Sequence, residues 1–220
     1  MVPVLVSLPA ADRPLASLPA PLPLDALVPG AGPWEVELGF GKGRYLLRRA
    51  EAEPERRFLG VEIAARYQRL FVERARRRGL GNWLALRGEA LYLLAAVLPA
   101  GFAAAVHVYF PDPWPKERHQ KRRLFDPATV DLVLGLLAPG GRLAFATDYL
   151  EYGESVAAIL AGVPGLALRR LDLWPEGPRT NYEAKYAAEG RPILRLEASL
   201  AVPVAPLHPE GAAAVLVAAG

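Results

Sequence analysis

An aspartate set between two prolines, Pro111-Asp112-Pro113, is followed by Trp114-Pro115-Lys116 and then by Glu117-Arg118-His119-Gln120-Lys121-Arg122-Arg123. No other part of the chain gathers so much chemistry. Proline fixes its own φ and restricts the residue before it, so Pro111 and Pro113 hold the Asp112 carboxylate in one direction. A fixed carboxylate beside an indole suits a planar polar ligand. Asp112 can meet its hydrogen-bonding edge, Trp114 its face, and the cations of residues 116–123 its phosphates. The preceding Ala103-Ala104-Ala105-Val106-His107-Val108 reads as an apolar strand, which puts Asp112 just beyond a strand end. The plainer alternative is a proline-rich loop followed by a solvated charged stretch.

A second constellation lies upstream. Glu37-Leu38-Gly39-Phe40-Gly41-Lys42-Gly43 ends an apolar strand and opens a helix. Glycines let the backbone turn sharply and approach a ligand closely. A dinucleotide fingerprint requires its third glycine at position 44, which is Arg44. The glutamate before the loop would repel a pyrophosphate and welcome a sulfonium or ammonium cation. Glu62 closes the next strand, where an acid can accept both ribose hydroxyls of an adenosine. Glu89 follows the third strand and is placed for the adenine edge or the cationic end. Three acids ending three successive strands favour S-adenosylmethionine over NAD. Lys42 and Arg44 read as helix-start surface residues.

The elements that must position these groups follow from alternating patterns. Strands are expected at residues 34–40, 57–62, 82–86, 104–110, 141–147, 166–173 and 192–200. Helices are expected at 43–52, 64–78, 89–97, 127–137 and 149–161. In the 64–78 helix, Tyr67, Leu70, Phe71 and Arg74 fall on one face, with the other arginines outside. Alternation of strand and helix implies an α/β, doubly wound, mostly parallel sheet of seven strands with helices on both faces. Ligands of such sheets bind beyond the carboxyl ends of the strands. Residues 1–33 read as a proline-rich arm, 34–200 as the domain, and 201–220 as an Ala, Pro and Val rich tail.

Composition excludes several classes. With 52% hydrophobic and 22% charged residues the chain is globular. It has no cysteine, and His107, His119 and His208 form no pair at metal-ligand spacing, so a transition-metal site is not expected. No apolar run reaches the roughly 20 residues that cross a bilayer, and no basic leader opens the chain. A cytoplasmic protein is expected. The net charge of +3 hides arginine clusters at residues 66–78 and 118–123 able to bind phosphate.

Taken together, the residues from 35 to 197 resemble the bacterial tRNA (guanine-N7-)-methyltransferase family. The resemblance rests on the 37–43 loop, Gly60-Val61-Glu62, Phe110-Pro111-Asp112-Pro113-Trp114-Pro115-Lys116, the Arg118-His119-Gln120-Lys121-Arg122-Arg123 run, Thr147-Asp148 and Thr180-Asn181-Tyr182-Glu183. The glycine loop alone marks only the wide class I methyltransferase superfamily, with its Rossmann-like sheet. The resemblance implies methyl transfer from S-adenosylmethionine to guanine N7 in tRNA, at guanosine 46 of the variable loop. It implies that Glu37, Gly39, Gly41, Gly43, Glu62, Glu89 and Asp112 bind the cofactor, with Asp112 the active-site carboxylate. Lys116, Asp148, Thr180, Asn181, Tyr182 and Glu183 would contact the target nucleotide. Arg118, His119, Gln120, Lys121, Arg122 and Arg123 would hold the RNA.

Glu89 stands where the family more often has aspartate, Tyr182 where phenylalanine is usual, and the proline-rich start where some relatives carry a basic arm. Two assignments have structural alternatives: Asp148 as the N-cap of the following helix, and Thr180 with Glu183 as a capping box. The enzymatic rival is an exocyclic-amine methyltransferase, whose Asp/Asn-Pro-Pro-aromatic tip has one more proline. A non-catalytic RNA-binding protein on the same fold is the other alternative. Partners expected are tRNA, no membrane and no metal, in a monomer or homodimer.

Overall fold

The computed structural model describes residues 5–120 and 122–200. The 201–220 tail and Lys121 lie outside the described residues. Among the described residues nine strands form one sheet: β1 (Leu5–Ser7), β2 (Asp12–Pro14), β3 (Trp34–Leu38), β4 (Arg57–Glu62), β5 (Trp83–Arg87), β6 (Ala103–Tyr109), β7 (Leu137–Thr147), β8 (Leu166–Leu171) and β9 (Leu194–Leu200). Their spatial order is β2-β1-β5-β4-β3-β6-β7-β9-β8. The central five run parallel and antiparallel pairs flank them on both sides.

The α/β doubly wound architecture is as expected, but the sheet has nine strands and not seven. The two additions come from residues 5–14, which pair as a short hairpin against β5. Three-residue strands interrupted by proline have too little alternation to be read from sequence. The 141–147 strand also begins earlier, at Leu137, and the expected 127–137 helix shortens to Val130–Leu134.

The remaining helices are α1 (Leu24–Leu27), α2 (Arg44–Ala52), α3 (Ala65–Arg77), α4 (Ala90–Ala96), α5 (Glu117–Gln120), α6 (Val130–Leu134), α7 (Leu150–Ala161) and α8 (Asn181–Ala188). The buried stripe of α3 is Gln68, Phe71, Val72 and Ala75, rotated from the expected one. The rotation follows from Gln68, which donates to Ser7 of β1, a strand the sequence did not announce. Phe71 packs edge-on against Trp83 and, tilted, on Phe40.

β3 shows how the fold prepares a site. All five of its residues are buried, and such strands are normally apolar throughout. Trp34, Val36 and Leu38 join the main core, whereas Glu35 and Glu37 take the opposite face. At the end of the strand's loop, Gly43 sits at φ 70° as the residue before α2. A Cβ there would lie 2.4 Å from the Phe71 ring. Gly43→Ala should therefore lower unfolding free energy by about 2–4 kcal/mol, combining the left-handed conformation with core overpacking. Urea denaturation of mutant and parent measures it.

Candidate active site

β3 leads through α2 to one side of the sheet and β6 leads to the other, so a crevice opens between the loops that leave their carboxyl ends. A cleft of about 1600 Å³ occupies it. One wall is the glycine loop and the turn after β4. The carboxylate of Glu62 stitches the two together, accepting from the Gly41 and Ala64 amides at 2.8 Å each. Next to it Ile63, 59% exposed, and Tyr67 give the wall an apolar surface. The sequence pattern placed Tyr67 on the packed face of its helix and gave no sign of Ile63, because a lone isoleucine after a strand carries no motif. Glu89 lines the same cleft, yet its carboxylate also accepts from the Tyr92 amide at 2.7 Å as the N-cap of α4. Gly39 and Gly41 face open space, whereas Gly43 is buried beneath α3.

Beneath the cleft runs a buried polar file that the sequence did not reveal. Arg179 donates to the Tyr109 hydroxyl at 2.7 Å, and that hydroxyl lies 2.9 Å from His107 Nδ1. His107 Nε2 lies 3.2 Å from Glu35, which also accepts from Arg49 at 2.8 Å and Arg56 at 3.0 Å. Burial lowers the His107 pKa, so the network assigns a neutral ring that donates to Glu35 and accepts from Tyr109. Burial works against the Glu35 charge, but His107 and the Arg49 guanidinium overcome it and hold the carboxyl at about 2. Glu37, on the same face, is pushed up to about 8 by burial, against the hydrogen bond from the Leu46 amide and helped by the charge of Glu62. Its Oε2 is buried with no partner among the described residues.

The opposite wall is the aspartate tip. Asp112 is exposed on the cleft, flanked by Phe110 at φ 52° and Trp114 at φ 41°. Left-handed backbone at bulky residues is rare and costs of order 1–3 kcal/mol each, so packing must impose it. Phe110 is held by Tyr186, ring centroids 5.6 Å apart, and Trp114 by the edge of His119 at 5.8 Å and the Arg122 guanidinium at 5.2 Å.

The basic run divides. Lys116 and Arg118 are exposed, outside the cleft wall; Arg122 is exposed and lines it. Arg123 does not behave as a surface RNA ligand: it is 9% exposed, donates to the Pro113 carbonyl at 2.8 Å and lies over the Tyr152 ring. It pins the tip instead. Lys121 and the side chain of Gln120 lie outside the described residues.

At the third wall, Asp148 lines the cleft and accepts from Arg191 at 3.4 Å. It caps no helix, since Tyr149 is the N-cap of α7. Thr180 does cap α8, accepting from the Glu183 amide at 3.0 Å. Glu183 is fully buried, bonded to Arg195 at 2.7 Å and to the Arg179 amide at 2.8 Å, and so turns away from the cleft. Thr180, Asn181 and Tyr182 line it.

Among the described residues no group of three or more His, Cys, Asp or Glu side chains is placed to hold a metal ion, and no helix is long and apolar enough to cross a membrane. An adenosine sulfonium fits this donor set. The orphaned Glu37 oxygen offers an acceptor to a cation, Glu62 retains lone pairs beside the loop, and the glycine loop presents backbone without side chains.

The fold is that of the class I methyltransferases. The 16S rRNA methyltransferase KamB superposes with a TM-score of 0.63 at 15% identity, covering 89% of this chain and 99% of that one. A family model described as "Putative methyltransferase" matches residues 31–196. The tRNA (guanine-N(7)-)-methyltransferase of Leifsonia xyli subsp. xyli is 44% identical over 187 residues, 80% of each chain. That of Nitrosococcus oceani is 38% identical over 162 residues, 73% of this chain and 69% of its own. The chain belongs to the tRNA (guanine-N7-)-methyltransferase family.

The raised Glu37 carboxyl has a consequence for stability. Between the ordinary glutamate value of 4.5 and about 8 the folded protein keeps a proton that the unfolded chain gives up. Stability therefore falls as pH rises through that window. Glu37→Gln should remove this component, leaving the variant more stable than the parent at pH 8 and not at pH 4. Denaturant titrations at both pH values check the sign.

Proposed function

We propose that this protein transfers the methyl group of S-adenosylmethionine to N7 of a guanine in tRNA, giving 7-methylguanosine, and that the target lies at position 46 of the variable loop. The observation that carries the reading is the single cleft shared by the Glu37–Glu62 wall and the Asp112 tip, in a chain of this family. When bound, the cofactor supplies an electrophilic methyl on a cationic sulfur and leaves as a neutral thioether.

Guanine N7 carries a lone pair and no hydrogen, so no base is required before transfer. Asp112 accepts from guanine N1–H and N2–H together, which turns N7 toward the cofactor wall. Positioning of this kind is worth about 7–11 kcal/mol. As the new N–C bond forms the ring becomes cationic, and carboxylates around the cleft stabilise that charge. Asp148, Thr180, Asn181 and Tyr182 complete the pocket for the nucleotide. Glu62 and Glu89 serve the adenosine, and Lys116, Arg118 and Arg122 the RNA backbone. Its place of work is the cytoplasm.

Asp112→Ala should keep S-adenosylmethionine binding largely intact in calorimetry, with at most a modest loss of affinity, while cutting methyl transfer to unmodified tRNA by orders of magnitude. Analysis of the product nucleosides names the methylated atom: a methyl on an exocyclic amine, or none at all, would refute the reading.

A second outcome concerns the RNA. Each phosphate neutralised by a surface cation releases condensed counterions, so tRNA affinity falls as salt rises. Replacing Arg118 and Arg122 with alanine should weaken tRNA binding and flatten that salt slope, with cofactor affinity unchanged. Arg123→Ala should instead lower thermal stability and turnover together, because its partner is the Pro113 carbonyl.

A further inference from the structure

Glu35 and Glu37 lie two residues apart on one face of β3 and are satisfied in opposite ways. Glu35, 1% exposed, meets two guanidiniums and an imidazole. Glu37, 2% exposed, has no cation against it among the described residues. The Leu46 amide, in the first turn of α2, donates to it, and its second oxygen has no donor among the described residues although the residue borders the cleft.

Among the described residues, the groups around Glu37 bring no positive charge. From β4 comes Glu62, an acid. From β6 come His107, its register neighbour, kept neutral by burial, and Tyr109, which burial pushes well up. From α2 comes Tyr45, pushed up by the same cause. The nearby cations are committed elsewhere: Arg49 to Glu35, Arg179 to Glu176 and Tyr109, and Arg44 to Asn181 across the cleft mouth. Lys42 is exposed at the loop. A bare carboxylate in such surroundings is strongly disfavoured and takes up either a proton or a cation.

We propose that Glu37 is a proton-or-cation site coupled to cofactor capture: its carboxyl carries a proton until the cationic amino-acid end of S-adenosylmethionine takes the proton's place. The O–H bond breaks, the proton passes to solvent, and the carboxylate pairs with the incoming charge. This rests on the cofactor reading above and adds a linkage to it. Burial supports the protonated form, since a carboxyl held at about 8 is mostly neutral at pH 7. Acid therefore competes with cofactor, and a rise in pH tightens binding while the loop geometry stays the same.

Titration calorimetry of the intact protein with S-adenosylmethionine at pH 7.0, in phosphate and in Tris, reads the proton directly through the different ionisation heats of the two buffers. About one proton released per cofactor is expected, with affinity rising by nearly tenfold between pH 6.0 and 7.0. That range lies below the titration of a free α-amino group at about 7.7–8.0. In Glu37→Gln, which mimics the protonated carboxyl, the cofactor should bind more weakly, and both the release and the pH dependence should vanish. S-Adenosylhomocysteine, which keeps the ammonium and lacks the sulfonium, assigns the partner: release with both ligands names the ammonium, release with the methyl donor alone names the sulfonium. Equal binding heats in both buffers with a pH-independent affinity in the parent would overturn the proposal and leave the cofactor reading standing. Undiminished release in Glu37→Gln would overturn it too, and failure of S-adenosylmethionine to bind would overturn both.

Discussion

One hydrogen-bonded file orders the working end of this molecule: Arg179 to Tyr109, Tyr109 to His107, His107 to Glu35. Its four members come from three structural segments, and each of those segments supplies part of the cleft. Tyr109 ends β6 and precedes the aspartate tip. Arg179 precedes α8, and Glu35 lies in the strand that feeds the glycine loop. The Arg179 guanidinium, stacked 3.9 Å from the Trp174 ring centroid, closes the file on one side. Arg49 and Arg56 close it on the other. Polar groups so buried are costly when half satisfied and rigid when fully satisfied, so the file fixes how far the tip stands from the loop.

That file explains which parts of the site were legible in the sequence. Glu37, Glu62 and Glu89 could be found because each lies at or near the end of a strand, and strand ends follow from alternation. Asp112 could be found because prolines announce fixed backbone. The partners of these residues could not. His107 reads as an isolated histidine in an apolar run, and Arg179 as one more arginine after a proline; only pairing of β3 with β6 brings the first to Glu35. The capping alternative for Thr180 proved real, but α8 itself was missed, because Asn181–Ala188 has no clear apolar stripe.

Arg123 and Glu183 mark the limit of motif reasoning most clearly. Both belong to segments whose neighbours face the ligand cleft, and both turn inward. Arg123 reaches back to the Pro113 carbonyl, and Glu183 pairs with Arg195 at a depth where either partner alone would be a stranded charge. A motif records what must be kept, whether for contact or for support. Burial tells the two apart. The fold was easier to read, since hydrophobic alternation over β3 to β7 is a long-range pattern with redundant information. The strands of residues 5–14 are too short to carry such a pattern.

Those first two strands alter the sheet in one more respect. Without them β5 would present a bare row of amides and carbonyls along one margin. With them, the margin is β2, whose three residues are Asp12, Arg13 and Pro14. The other margin, β8, carries Arg169 and Arg170, paired with Glu197 and Glu154. Proline offers no amide, and paired charges resist desolvation, so neither border is a template for an added strand. A sheet this wide is thereby guarded against edge-to-edge stacking with its own copies, and a chain deprived of its opening hairpin would lose that protection along residues 85–87 of β5.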